Sequence, residues 1–255
     1  MAQTPGSDGH WVSVWGASAY APIQFPGMPP APPIADKTIR MIVSPTAGGL
    51  RFRVRFSNEL GTKPLLIGAA SVAVHQQDTK IDTSTRHVLT FGGNPSVSIP
   101  PGAPVVSDPV DMKIAPSASL AVSVYLPSST PVSTWHELAK HESYLVGPGN
   151  QTSKPELPDA ERNRGWYFLS GIEAWAPIAT TATVAFGDSI TDGDGDRAHP
   201  SADWPDQLAA RLTADRSGTE NAVINEGISG NLILHDAAGV SALARFDRDV
   251  CLSRV

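Results

Sequence analysis

The sequence predicts a mixed fold: a β-sandwich over residues 1–178, followed by a partial α/β module with a parallel sheet over residues 179–255. Three observations predict it. Before residue 180, short runs of alternating apolar and polar residues are separated by Gly- and Pro-rich turns, with neither a 20–50-residue repeat nor a long helical pattern. After residue 180 the order becomes strand, helix, strand, helix, which implies parallel strands joined by right-handed crossovers. Between the two regions, residues 177–181 form the seam.

Composition narrows the class. The chain has 255 residues, 41% hydrophobic and 17% charged, as expected of a folded protein rather than a disordered one. A net charge of −6 with no basic cluster excludes nucleic acid and anionic membranes as partners. Cys251 is the only cysteine, so no intrachain disulfide and no thiolate zinc site is expected, and no metal or organic cofactor is implied. No apolar run reaches membrane-spanning length. The first residues lack the basic region and apolar core of a signal peptide, although a secreted parent without its leader fits equally well.

Taken in order, residues 10–18 alternate and read as a strand, and residues 20–35, with six prolines, read as an extended loop. Leu50, Phe52, Val54 and Phe56 alternate with Arg51, Arg53 and Arg55, the pattern of a half-buried strand. The three arginines read as a solvated outer face in preference to an anion-binding surface. Further strands are expected at 65–74, 87–91 and 120–126, the last with Leu120, Val122, Val124 and Leu126 on one side. Residues 147–165 read as a loop and 166–175 as β again. His136 and His141, five apart without carboxylates at ligand spacing, read as structural.

The second region begins with the apolar run 183–186, a buried strand that stops at Gly187-Asp188-Ser189. A serine at the carboxyl end of such a strand sits where open α/β sheets place ligands, and the turn's N–H groups can face a developing negative charge. The alternative is that Asp188 and Ser189 merely cap a turn. Asp203 is read as the cap of a helix with Leu208, Ala209 and Leu212 on its apolar face, 222–225 as the second strand, and 237–250 as another helix.

The string Gly187-Asp188-Ser189-Ile190-Thr191-Asp192-Gly193 resembles the first motif block of the GDSL, or SGNH, serine esterases and lipases. Asn225-Glu226-Gly227-Ile228-Ser229-Gly230-Asn231 resembles their second block, and residues 204–212 match a helix of a multidomain branch with a β-rich region ahead of the hydrolase part. The resemblance implies a flavodoxin-like α/β module and ester hydrolysis through an acyl-enzyme. Ser189 would be the nucleophile, the N–H groups of Ser189 and Gly230 would hold the oxyanion, and Asp188 would brace the turn. It suggests short acyl chains, or acetyl groups on carbohydrate, as substrates. The main alternative is a catalytically impaired fragment whose β-sandwich binds carbohydrate, with Trp11, Trp15, Trp135, Trp166 and Trp175 as candidate contacts.

The likeness stops after Val250. The family's third, Asn-bearing block and its late Asp-x-x-His block have no counterpart here, which reads as a truncation. A serine without a base is a poor nucleophile at neutral pH. Asp196-Arg197-Ala198-His199 has the Asp-x-x-His spacing, which chance also produces; His199 reads as an exposed loop histidine in preference to a substitute base oriented by Asp196, and His235, beside Asp236, is a weaker candidate still. Two strands and two helices bury little by themselves, so an exposed apolar face is also expected.

Overall fold

Alternation builds the β-rich region as the pattern requires. In the computed structural model, which describes residues 9–23, 27, 29, 31–137, 142–193, 203–214 and 220–251, Phe52, Val54 and Phe56 are buried and the three arginines line the opposite face. In chain order the strands are β1 (Gly9–Gly16), β2 (Lys37–Val43), β3 (Gly49–Ser57), β4 (Leu65–Ile67), β5 (Ala69–Gln77), β6 (Lys80–Leu89), β7 (Val97–Ile99), β8 (Pro104–Val106) and β9 (Val110–Ile114). They continue as β10 (Leu120–Leu126), β11 (Trp135–His136), β12 (Ser143–Val146), β13 (Glu161–Asn163), β14 (Trp166–Tyr167), β15 (Leu169–Pro177), β16 (Thr181–Gly187) and β17 (Asn221–Gly227). The helices are α1 (Ser189–Asp192), α2 (Trp204–Ala214) and α3 (Ala242–Phe246), the last running into a π-helical turn at Asp247–Cys251.

Among the described residues, two antiparallel sheets dominate. One has the order β1-β15-β3-β8, with β9 also paired to β3; the other has the order β13-β12-β2-β10-β5-β6. One buried cluster draws on both sheets: Val14, Phe52, Val54 and Ile172 from the first, and Ile39, Met41, Val72, Val122 and Val124 from the second. The expected 65–74 strand is two strands, β4 and β5. Of the expected 87–91 strand, 87–89 are the end of the longer β6 and Phe91 forms an isolated bridge with Asn94, and the expected loop 147–165 contains β13.

Two details depart from the sequence reading. Leu50 is exposed, because the β3–β9 register shifts between Gly49 and Arg51 and turns it outward. Two of the arginines on the outer face, Arg51 and Arg53, have dedicated partners. Arg51 pairs with Asp111 at 2.8 Å, and Arg53 donates to Glu173 Oε2 at 2.5 Å with its guanidinium 4.2 Å from the centre of the Trp11 ring.

β16 and β17 pair in parallel, as expected of a strand–helix–strand unit. Both faces of this small sheet are covered. Ala185 and Val223 meet Ala209 of α2, with Leu208 and Leu212 beside them. Ala222 and Ile224 belong to the same buried cluster as Val14 and Phe52, so the core runs on across the 177–181 seam. α2 is capped as read, with Asp206 N donating to Asp203 Oδ1 at 2.7 Å. The helix expected over 237–250 starts later, at Ala242. Asp236 Oδ1 accepts from Ser241 N at 2.8 Å, Gly239 adopts φ +70°, and Ser241 caps the first turn. An apolar surface remains open at Ile190, Leu232, Ile233, Leu234, Leu243 and Phe246.

The junction between β1 and β17 is tight. A Cβ on Gly16 would stand 2.4 Å from Glu226 Oε1 and 2.5 Å from Ile224 Cγ2. Thr46 Oγ1 accepts from Val223 N at 2.9 Å and lies 3.0 Å from Val223 O, while Thr46 N donates to Val14 O at 2.8 Å, joining the two strands through one residue. Gly16→Ala is therefore expected to destabilise the chain by about 1–3 kcal/mol. Denaturant unfolding followed by tryptophan fluorescence should show this as a lower midpoint, and an unchanged midpoint would show that the junction is looser than described.

Candidate active site

The parallel register places the two motif turns side by side. Gly187 is paired with Gly227 at the carboxyl ends of β16 and β17, and Ile228 N donates to Gly187 O at 3.1 Å, carrying the pairing one residue further. Ser189 opens α1, a single turn. Asp188 is its cap, accepting from Ile190 N through Oδ1 at 3.0 Å, and Gly193 closes it with φ +87°. Asp188 thus braces the turn. Ser189 is half-buried, and none of the described residues hydrogen-bonds its hydroxyl.

The second turn is fixed on both sides of Gly230, whose φ is +80°. On one side, Asp192 Oδ2 accepts from Ser229 N at 2.8 Å and from Ser229 Oγ at 2.7 Å. On the other, the buried Asn231 donates to Ala238 O at 2.9 Å and Val240 O at 2.8 Å, and its Oδ1 accepts from Arg245 Nε at 3.0 Å. Arg245, 1% exposed, also donates to Gly187 O and to Glu226 O, each at 2.8 Å, and stacks 4.1 Å from the Phe186 ring centre. One guanidinium therefore ties both motif turns together.

Asp192 is held in turn by His136. His136 Nε2 lies 3.1 Å from Asp192 Oδ1, and Nδ1 lies 2.9 Å from the carbonyl oxygen of Ser18; both His136 and Asp192 are buried. Burial works to lower the histidine pKa, but the Asp192 carboxylate and its hydrogen bond reverse this to a net rise. Burial likewise works to raise Asp192, and His136 with the two Ser229 donors reverses it to a net fall. The two directions agree on an imidazolium–carboxylate pair.

A second buried cluster lies beneath Arg245. Ser18 Oγ is 2.7 Å from Glu226 Oε2, 2.8 Å from Asp249 Oδ2 and 2.9 Å from Arg245 Nη1. A hydroxyl has one proton and cannot donate to two carboxylates at once. A protonated Glu226 donating to Ser18, which donates on to Asp249 and accepts from Arg245, satisfies all three contacts of the hydroxyl. Burial, and then the Asp249 charge, push the Glu226 carboxyl up to about 8, in accord with this arrangement.

Of the residues singled out in the sequence, Ser189 and Gly230 fall on these adjacent turns. Asp196 and His199 lie outside the described residues, as does His141, and His235 is exposed. Trp15 and Trp166 are buried, whereas Trp11, Trp135 and Trp175 are half-buried. Sequence reasoning missed Ser18 and Arg245 and read His136 as structural. The surviving signal was indirect: a histidine beside a tryptophan at the end of a strand.

The serine turn and the glycine turn thus follow two adjacent parallel strands. Residues 183–254 match the family model described as GDSL-like lipase/acylhydrolase, so the part of the chain that carries both turns is similar to that family. No curated protein matches the chain.

The Glu226 shift has a sign that can be measured. Its folded-state pKa lies above that of an unfolded glutamate, about 4.3, so the folded chain binds more protons between those values and loses stability as pH rises from about 4.5 to 8. Glu226→Gln keeps a donor toward Ser18 and removes the titration. The variant is expected to match the parent near pH 4.5 and to exceed it at pH 8 in thermal midpoint; equal slopes of midpoint against pH would refute the assignment.

Proposed function

We propose that the chain is a serine ester hydrolase of the SGNH type. It acts on short-chain acyl or acetyl esters, acylated carbohydrate among them, through an acyl-enzyme. Residues 179–255 form the hydrolase module, and residues 1–178, read as a sandwich of the two antiparallel sheets, form an accessory domain. The observation that carries the reading is the in-register pairing of β16 with β17, which sets the Ser189 turn beside the Gly230 turn.

In the proposed reaction Ser189 Oγ attacks the ester carbonyl carbon while its proton passes to a base. The carbonyl oxygen takes up the negative charge between the N–H groups of Ser189 and Gly230. Collapse breaks the bond to the alcohol, which leaves with a proton from the base, and water then releases the acyl group by the same steps in reverse order of partners. Loss of one oxyanion donor costs about 3–4 kcal/mol of barrier. His136 is ruled out as the base by its bonds, since both ring nitrogens face acceptors. His199, with Asp196 to orient it, is the substitute candidate that the sequence offers, and both lie outside the described residues.

Fluorophosphonate labelling followed by peptide mass spectrometry tests the reading, because only an activated serine labels quickly. Ser189→Ala is expected to abolish both labelling and hydrolysis of a short-chain nitrophenyl ester. Gly230→Val, forced into φ +80° with Ala238 Cβ already 3.2 Å from the glycine's notional Cβ, is expected to slow labelling by about 10²–10³-fold. Labelling on a different serine would overturn the assignment.

A second reading, carbohydrate binding by the β-rich region, draws on the outer face of β1 and β15. Trp11 and Trp175 are directly paired across the strands, half-buried, with ring centres 5.5 Å apart and Arg53 alongside. Glycan-array binding that persists in Ser189→Ala and disappears in Trp11→Ala is the expected result; an array without signal for the parent removes this reading.

A further inference from the structure

We propose that His136 is a positioning residue for the oxyanion side of the candidate site, acting through Asp192 and Ser229 on the Gly230 N–H. The proposal rests on the reading of Ser189 and Gly230 given above.

Hydrogen-bond inventory comes first. The Ser18 carbonyl can only accept, so His136 Nδ1 carries a proton. Asp192 Oδ2 receives two donors from Ser229, both of which favour a carboxylate over a carboxylic acid, so Oδ1 faces Nε2 as an acceptor and Nε2 also carries a proton. His136 is therefore a buried cation with one anion partner. Tyr20 and Trp166 pack against its ring at centroid distances of 5.8 and 5.4 Å, which leaves the imidazole no second orientation. The titratable groups around it are the Asp192 carboxylate, Glu226 in its neutral form, and Asp206 on the wall of the same cavity.

The chain of restraint then runs outward. His136 fixes the direction of the Asp192 carboxylate. Asp192 fixes both the amide and the hydroxyl of Ser229. The Ser229–Gly230 peptide carries the candidate oxyanion N–H, and its far side is already held by Asn231 on Arg245. Gly230 is a glycine with φ +80° between two pinned neighbours, so its amide direction is set by them and not by its own side chain. Removing His136 releases one of the two anchors and leaves Asp192 as an uncompensated buried charge. The β-rich region thus reaches into the hydrolase site through one residue of β11.

The experiment uses the full chain with His136→Gln, which keeps a side-chain donor and removes the charge, and with His136→Ala. Native-state amide hydrogen exchange should show faster exchange at Ser229, Gly230 and Asn231, greater in the alanine variant than in the glutamine variant. The amides of Val122 and Val124 in β10 should be unaffected. Fluorophosphonate titration should show a maximal labelling rate lowered by about 10- to 100-fold in His136→Ala, with an unchanged half-saturating probe concentration and partial recovery in His136→Gln. Unchanged exchange at 229–231 in a folded variant, or a change confined to probe affinity, overturns the proposal. Should both variants lose protection throughout, nitrogen-15 NMR of the parent decides: both ring nitrogens of His136 protonated at pH 7 supports it, and a neutral ring overturns it. A parent chain whose Ser189 does not label, but whose 229–231 exchange still responds to His136, defeats the hydrolase reading and leaves the coupling standing.

Discussion

Arg245 is the interaction on which the rest of the site depends. Its three nitrogens reach five groups: Gly187 O at the end of β16, Glu226 O at the end of β17, Asn231 in the second turn, Ser18 and Asp249. A lysine would offer three donors from one point and could not span these directions. A cation this deep is tolerable because Asp249 neutralises it and the Phe186 ring covers one face. The neutral form of Glu226 follows from its burial and then from the Asp249 charge beside it, which together outweigh the pull of Arg245 and Arg248; Arg248 is bound to Asp249 through both carboxylate oxygens.

The small parallel sheet owes its burial to its neighbours on both faces. α2 supplies one cover from its own module and the β-rich core supplies the other. A two-stranded parallel pair alone would be marginal, because parallel strands bury both faces. Here Ala222 and Ile224 contribute to a core otherwise made of antiparallel strands. Glycine at position 16 is what allows β1 and β17 to approach closely enough for this.

Much of this was legible in the sequence. The strand–turn–serine string 183–189 and the glycine turn 225–231 announced two adjacent sheet ends, and the cap at Asp203 and the alternation in 50–56 announced their elements, because each signal is local. Leu50 misled because alternation carries no sign of a bulge. The helix over 237–250 misled because Asp236 and Gly239 favour a turn that the apolar spacing alone does not reveal. His136, Ser18 and Arg245 were illegible as site residues for a different reason. Ser18 meets Glu226 across 208 positions and His136 meets Asp192 across 56, and no pattern in either neighbourhood records the other. A polar residue that is satisfied only in three dimensions looks like any other polar residue in one.

Thr46 carries a consequence for assembly. The outward N–H and C=O of Val223 are the groups through which a strand would join β17 on the side away from β16, and both are already bonded to the Thr46 hydroxyl. That edge is sealed against recruitment by another strand, in the way natural sheets blunt edges that would otherwise template aggregation. The sheet is consequently one-sided as a template: a strand added from elsewhere, whether in this polypeptide or another, has its place beside Thr181–Gly187, next to the serine turn.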